Sequence, residues 1–419
     1  MQLQAPKGTR DILPSQTQTW QWVESVARSV FSTYGYQEIR TPIFENTDLF
    51  VRGVGDTTDI VEKEMYTFND KANRSVTLRP EGTAPVVRAV IQNRLLEGAS
   101  VLKLYYNGRM YRYERPQAGR YREHWQVGVE VFGAAEAAVD AEVIALAHKF
   151  YSRLGFKDLT LHLNTIGDRA CRPKFVSDLK AFTKARLNQF CQECQGRYER
   201  NPLRLFDCKI GCREILSEGP KLLEYLCDSC REHFDAVKRY LKLLGIEFTE
   251  NPNLVRGMDY YSRTTFEFTA GGLGAQDAIG GGGRYDYLVE ELGNKPTPGI
   301  GFGLGVDRII LALEAQKFEI SPQPPIDVYI AVLGDEAMPI AFQLAEKFRD
   351  SQIRTDLEYN GRSLKAQMKT AHKFGVKYVV IIGEDEIKNG AATVRDMESG
   401  NQRAVEFDGL GKALKISSQ

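Results

Sequence analysis

The sequence predicts an α+β fold: a large domain on a mixed, mostly antiparallel sheet, a mainly helical insertion within it, and a small α/β domain after it. Three observations carry this prediction. Strand-like runs rich in Val, Leu, Tyr and Gly occupy two separated stretches, Val76 to Phe132 and Leu254 to Gly305. Between them, after Asp168, the texture changes: cysteines crowd together, Asn201-Pro202 and Gly219-Pro220 break the pattern, and helical spacing resumes at Tyr225 to Leu244. Beyond the Pro-rich stretch SPQPPID at Ser321 to Asp327, strand and helix patterns alternate, as in a small α/β domain. With 419 residues the chain exceeds what one hydrophobic core serves. The expected division is a core over 1–320 interrupted at about 169–240, a linker at 321–326, and a second domain over 327–419.

In chain order, an amphipathic helix is expected at Thr17 to Thr33, followed by YGYQEIRTPIFE from Tyr34, whose Pro42 suits an edge or interface strand. Val76 to Phe132 reads as several strands, and Asp140 to Leu154 as a helix. After the insertion, glycine-rich strands run to Gly305 and a helix spans Val306 to Glu314. The second domain then reads DVYIAVLG, a helix, a short strand near Ile353 to Leu357, a basic helix, and KYVVIIGE. The first residues, Met1 to Pro14, are polar, and no apolar run approaches the eighteen or so residues that cross a bilayer. A cytosolic protein without a membrane partner is expected.

Lys plus Arg and Asp plus Glu each number 55, so a surface for nucleic acid has to arise from local segregation of charge. Between Glu358 and Glu384 there is no acidic residue, while Arg362, Lys365, Lys369, Lys373 and Lys377 recur at helical spacing. Leu364, Met368, Ala371 and Phe374 fall on the opposite face. The basic face is expected to meet phosphates.

Alternation from Gln126 to Phe132 sets Val127, Val129 and Val131 toward a core and Gln126, Gly128 and Glu130 toward the other side. An amide and a carboxylate flanking a residue with no side chain leave room for a ligand with nitrogen donors. Upstream, Arg112 and Glu114 share a face, and Arg115, Arg120 and Arg122 follow on a turn with Pro116 and Gly119. So many guanidiniums suit a triphosphate or an RNA end. Gly299, Gly301, Gly303 and Gly305 bare one strand face, on which a base or ribose can approach the backbone. GFGLG is not a dinucleotide fingerprint, since no βαβ unit surrounds it. Arg308 opens an otherwise apolar helix and needs an anionic partner there. Gly280 to Gly283, before Arg284, Tyr285 and Asp286, reads as a strand edge beside the site. Six of the seven cysteines lie between Cys191 and Cys230, spaced CxxC, CxxxC and CxxC. Cys191, Cys194, Cys227 and Cys230 make the best four ligands for a structural Zn²⁺, the alternative being unligated thiols.

Taken together, KGTRDILP at Lys7, YGYQEIRTPIFE at Tyr34, RPEGT at Arg79, MYRYERPQ at Met110, VRGMDYY at Val255, GGGRYD at Gly281 and GFGLGVDR at Gly301 resemble, in order, the class II histidyl-tRNA synthetases. The resemblance covers essentially the whole chain, and VRGMDYY is its most specific segment. It implies a class II catalytic domain, a C-terminal anticodon-binding domain and a homodimer formed through the segment around Pro42. It also implies that Glu81, Thr83 and Gln126 hold the α-ammonium of L-histidine while Glu130 and Tyr261, with Tyr260 beside it, recognise the imidazole. Arg112 and Arg256 would flank the α-phosphate of ATP as catalytic groups. Arg120 and Arg308 would lie nearer the terminal phosphates with Mg²⁺, and Glu114 in the ATP site. Arg115 and Gln117 match the loop that meets the acceptor end of tRNA(His), and the basic face at Arg362, Lys365, Lys369 and Lys373 would meet tRNA too. Family members usually read RYREFHQ, whereas here His124 and Trp125 precede Gln126, so the ring stacking on adenine becomes His124.

A paralogous group of this fold binds histidine as the regulatory subunit of ATP phosphoribosyltransferase. Those paralogues generally lack the VRGMDYY arginine segment and the C-terminal domain, both intact here. Another class II ligase would fit the arginines but not Glu130 with Tyr260 and Tyr261.

Overall fold

The computed structural model describes residues 3–414 apart from 209, 272, 274–276 and 319–323. The chain forms two compact units, Met1–Ile320 and Ser321–Gln419. Residues 321–323 of the expected linker lie outside the described residues.

In the first unit, helix Pro14–Thr33 starts with Pro at its first position, where the missing N–H costs nothing. Its apolar stripe of Trp20, Val23, Ala27, Val30 and Phe31 is buried. Strand β1 (Gln37–Glu38) follows, and Pro42 falls between it and β2 (Phe44–Asn46), outside both strands. Strand β2 joins β3 (Tyr66–Asn69) and β4 (Ser75–Leu78) in a small sheet of order β2-β4-β3.

Part of the stretch expected as continuous strands is instead the helix Thr83–Gln92. Its valines are poor helix formers, but Val86, Val87 and Val90 are fully buried and the Glu81 carboxylate accepts the N–H groups of Thr83 and Ala84, both at 2.7 Å. Burial of one face and an anion at the positive end of the helix override the local propensity.

Strands β5 (Leu102–Tyr111) and β6 (Glu123–Phe132) form a long hairpin, followed by helix Ala137–Arg153 and β7 (Leu159–Thr165). Helices Arg172–Ala185, Gln192–Arg200, Cys212–Ser217 and Asp228–Leu243 then replace strand structure. The chain returns through β8 (Thr249–Glu250), β9 (Ser262–Ala270), β10 (Ala278–Arg284), β11 (Gly299–Gly305) and helix Val306–Ala315.

The eight-stranded sheet has the order β1-β5-β6-β11-β10-β9-β7-β8. It is parallel only at its two ends, β1 with β5 and β7 with β8, and antiparallel between. The Gly280 to Gly283 run therefore lies in a central strand between β9 and β11, not at an edge. Glycine gives no pattern from which to read neighbours.

One face of this sheet presents Val127, Val129, Val131, Phe266, Phe268, Ile300, Phe302 and Leu304 to the core. Helices Pro14–Thr33, Ala137–Arg153 and Val306–Ala315 cover it, each buried large side chain contributing about 1.5–3 kcal/mol. A charged lock ties the insertion to this layer. The buried Asp140 carboxylate accepts from Arg284 on β10, at 2.5 Å, and pairs at 2.8 Å with His233 of helix Asp228–Leu243. Burial pushes the Asp140 carboxyl up, yet Arg284 and His233 hold it below its ordinary value. Removing one partner would cost about 3–5 kcal/mol.

The second unit holds β12 (Val328–Val332), β13 (Thr355–Leu357), β14 (Tyr378–Ile382), β15 (Ala391–Asp396) and β16 (Gln402–Glu406), ordered β13-β12-β14-β15-β16. Its first three sheet positions are parallel, and β12 and β14 are buried throughout. Helix Leu364–Phe374 packs Leu364, Met368, Ala371 and Phe374 inward and exposes Lys365, Lys369 and Lys373. Arg362 departs from the expected phosphate-facing row. It precedes the helix and forks the buried Glu358 carboxylate at 2.6–3.0 Å, which spends its charge within the protein.

Candidate active site

On the other face of the eight-stranded sheet lies a cleft of about 1080 Å³. Glu81, Thr83, Arg112, Glu114, Arg120, His124, Gln126, Arg256, Tyr261 and Arg308 all line it, so motifs scattered over the sequence meet on one surface. Sheet order explains the meeting. Strands β6, β11, β10 and β9 are consecutive neighbours, and the connection between β5 and β6 brings Arg112, Glu114 and Arg120 to the same cleft.

Glu130 lies beneath the cleft, fully buried and outside its lining, where its carboxylate accepts from the Thr83 hydroxyl at 2.7 Å and from the Tyr285 hydroxyl, both on lining residues. Burial first, and the nearby Glu81 carboxylate, push its pKa up to about 8 against the two hydrogen bonds. Burial likewise raises Glu81, opposed by the backbone N–H groups it accepts. Gln126 accepts from the buried Tyr106 hydroxyl at 3.2 Å.

The bare glycine strips are largely occupied by side chains rather than left for a base or ribose. A Cβ on Gly301 would stand 2.0 Å from Glu130 Oε2, and one on Gly303 would stand 2.6 Å from Gln126 Nε2. On β10, a Cβ at Gly281 would meet Arg256 Nη1 at 3.0 Å and one at Gly283 the Tyr261 ring at 3.0 Å. The missing side chains thus let four polar groups lie flat on the sheet. Only at Gly305, among these five, does the space stay open.

Arg256 pairs with Glu267 Oε2 at 2.6 Å, and although burial works against its charge, Glu267 and Tyr261 hold its pKa above the ordinary value. Arg112 is aimed by its Nε, which donates to the Pro80 carbonyl at 2.8 Å. Arg120 stands 3.7 Å from Glu114, and Arg308 donates to the Ala278 carbonyl at 2.6 Å, so backbone oxygen supplies part of the partner its position demands. Burial, then Arg112 and Arg120, push the His124 pKa down to about 3, so its ring is neutral at physiological pH.

The family model described as Histidyl-tRNA synthetase matches residues 8–168 and 207–309, and that described as Anticodon binding domain matches 327–416. The histidine–tRNA ligase of Pelotomaculum thermopropionicum is 53% identical over 98% of this chain and 97% of its own, and that of Moorella thermoacetica 54% over 96% and 95%. The chain belongs to the histidyl-tRNA synthetase family. Among solved structures, the apo S. aureus histidyl-tRNA synthetase superposes with a TM-score of 0.84 at 38% identity, covering 99% of this chain and 100% of that one.

Within this synthetase fold several expected site residues lie outside the cleft lining, the buried Glu130 among them. Tyr260 does not line the cleft; its ring packs behind Tyr261, at 4.7 Å, and against Tyr285, at 5.7 Å. Arg115 and Gln117 are exposed on the hairpin outside the cleft lining. The four favoured cysteines do not form one group. Cys191 and Cys194 meet Cys208 and Cys212, whereas Cys227 and Cys230 meet Cys171 and Asp168. Each CxxC pair is a half-site, and sequence distance does not say which half-sites the helices bring together.

Other contributors went unread. Tyr285 bonds Glu130, and Glu267 holds Arg256. The alternation of Phe266 and Phe268 with Thr265, Glu267 and Thr269 on β9 is a legible signal for the latter. Arg10 of KGTRDILP bonds Asp307 at 2.9 Å, which in turn accepts the Trp125 N–H at 2.9 Å and fixes the strand carrying His124 and Gln126. From the insertion, Arg197 and Arg204 also line the cleft, both bonded to Asp59.

Proposed function

We infer that this protein is an AMP-forming ligase that activates L-histidine with ATP and transfers it to the 3′ end of tRNA(His). The observation that carries this reading is the convergence of Arg256 and Tyr261 on the cleft that also holds Glu81, Thr83 and Gln126, with Glu130 directly beneath it, bonded to Thr83. In the proposed pose, Glu81 and Gln126 receive the α-ammonium, with Thr83 between them and Glu130. The imidazole lies against the side chains that fill the glycine strips, bonded by Tyr261 and Glu130. A competitor without ring nitrogens would leave these buried groups unpaired, a penalty of about 10⁴-fold or more.

ATP enters beside His124, whose neutral ring can stack on adenine without cationic repulsion from Arg112 and Arg120. Arg112 and Arg256 flank the α-phosphate, and Arg120 and Arg308 meet the terminal phosphates. The carboxylate Glu114 beside Arg120 suits a hydrated Mg²⁺, which supplies neutralisation of phosphate charge when bound. The histidine carboxylate attacks the α-phosphorus in line, pyrophosphate leaves, and the preorganised guanidiniums stabilise the charge at phosphorus. The terminal ribose hydroxyl of tRNA then takes the histidyl group from the adenylate and AMP is released.

Arg115 and Gln117, exposed on the hairpin, would meet the acceptor end, and Lys365, Lys369 and Lys373 tRNA phosphates. A homodimer in the cytoplasm is part of the same reading; among the described residues no helix is long and apolar enough to cross a membrane. The regulatory-subunit alternative has no use for Arg256 over the cleft or for the matched anticodon-binding unit.

Pyrophosphate exchange measured with each amino acid in turn tests the proposal. Exchange with histidine alone supports it, exchange with none supports a regulatory module, and exchange with another amino acid transfers the site to that substrate.

A further inference from the structure

The insertion carries a second chemistry that histidine activation does not use. Cys191 caps helix Gln192–Arg200, Cys194 lies in its first turn, Cys208 follows the turn Pro202–Asp207, and Cys212 opens helix Cys212–Ser217. Their four sulfur atoms lie within 4.8 Å of one another, and three of the residues are buried. Cys191 and Cys208 Sγ stand 3.8 Å apart. A disulfide would need about 2.05 Å. Four sulfurs at about 2.3 Å from a tetrahedral zinc ion are separated by about 3.8 Å, the edge of that tetrahedron. An iron–sulfur cluster would interpose several atoms and spread the ligands further.

Two backbone donors already point at the sulfurs. Cys191 N–H donates to Cys212 Sγ at 3.3 Å, and Ile210 N–H to Cys208 Sγ at 3.4 Å, so two of the four sulfurs already accept from the backbone around them. Phe190, Leu205, Phe206 and Leu216 pack in the same buried cluster and shield the group from water.

We propose that Cys191, Cys194, Cys208 and Cys212 hold one structural zinc ion. Its consequence reaches the cleft. The metal clamps helix Gln192–Arg200 to the turn Pro202–Asp207, and these two segments carry Arg197 and Arg204, which grip Asp59 at 2.7 and 3.1 Å on the cleft wall. The proposal stands apart from the ligase reading, because it concerns the folding of the wall and not the reaction. Asp168, Cys171, Cys227 and Cys230 form a separate mixed group and are no part of it.

The test is elemental analysis and X-ray absorption on the full chain, incubated with zinc and desalted. In a Cys227→Ser/Cys230→Ser background one zinc per chain is expected, with an all-sulfur shell at about 2.3 Å. Adding Cys191→Ser and Cys208→Ser should remove that equivalent. A background protein that retains no zinc, an oxygen-containing shell, or an unchanged zinc content after the second pair of substitutions would each overturn the site. If the background fails to fold, Cys191→Ser/Cys208→Ser in the otherwise wild-type chain decides: loss of one zinc per chain with an all-sulfur shell sustains the proposal, and an unchanged zinc content sinks it.

Discussion

In the five-stranded sheet β12 and β14 are buried along their whole length and, apart from their tyrosine hydroxyls, apolar, so packing chiefly defines them. The eight-stranded sheet keeps that rule on one face and breaks it on the other, where Glu130, Gln126, Arg256 and Tyr261 lie over glycines. The first arrangement tolerates any close-packed apolar set. The second needs particular side chains absent as much as particular ones present, because the glycine strips make the space in which polar groups are held.

The contrast is broken most directly at Arg256. Arg256→Ala should lower histidine-dependent pyrophosphate exchange by roughly 10²–10³-fold with a smaller change in histidine affinity, and near-normal exchange would refute its role at phosphorus. Gly301→Ala comes next. Its methyl would collide with Glu130 and with the Val129 carbonyl oxygen at 2.3 Å, so exchange should fall by about 10²-fold. The matching change in the other sheet, Ile330→Ala on β12, should cost about 2–5 kcal/mol in the unfolding of the second unit while exchange persists. Equal loss of exchange in both variants would erase the distinction between the two sheets.

Glu130 sharpens the comparison through pH. Its folded pKa of about 8 lies above the ordinary value of 4.5, so the native state binds a proton that the unfolded chain has already released. Its contribution to the stability of the ligand-free protein is therefore full below about 4.5 and is lost as pH rises through about 8. Melting temperatures across this window should fall less steeply in Glu130→Gln than in the wild type; parallel curves would mean that Glu130 does not titrate there. The smallest effect is expected on the basic helix. Replacing Lys365, Lys369 and Lys373 by Ala should weaken tRNA binding, reduce its salt dependence by up to one charge per residue, and leave exchange unchanged. An unaltered salt slope would remove that face from the tRNA surface.

The alternation of Gln126 to Phe132 was legible because a strand has period two, and that alone put Glu130 on the face opposite the valine core. Arg362 stands outside the helical row, paired with Glu358, for a converse reason. Charge periodicity does not reveal that a buried carboxylate four residues earlier claims one member of the row. The helix Thr83–Gln92 was hidden by its valines, since propensity is a sum over neighbours in the chain and the deciding contacts came from elsewhere.

By itself the sequence determined most classes of element, the apolar and polar faces, and the residue types that suit a triphosphate and a ligand with nitrogen donors, because these depend on periodicity and side-chain chemistry. Tertiary structure decided which half-sites meet. It set Cys191 and Cys194 against Cys208 and Cys212, placed Tyr285 against Glu130, and laid Arg256 over Gly281. Those pairings depend on how strands far apart in the chain become neighbours in one sheet, a relation that local spacing does not encode.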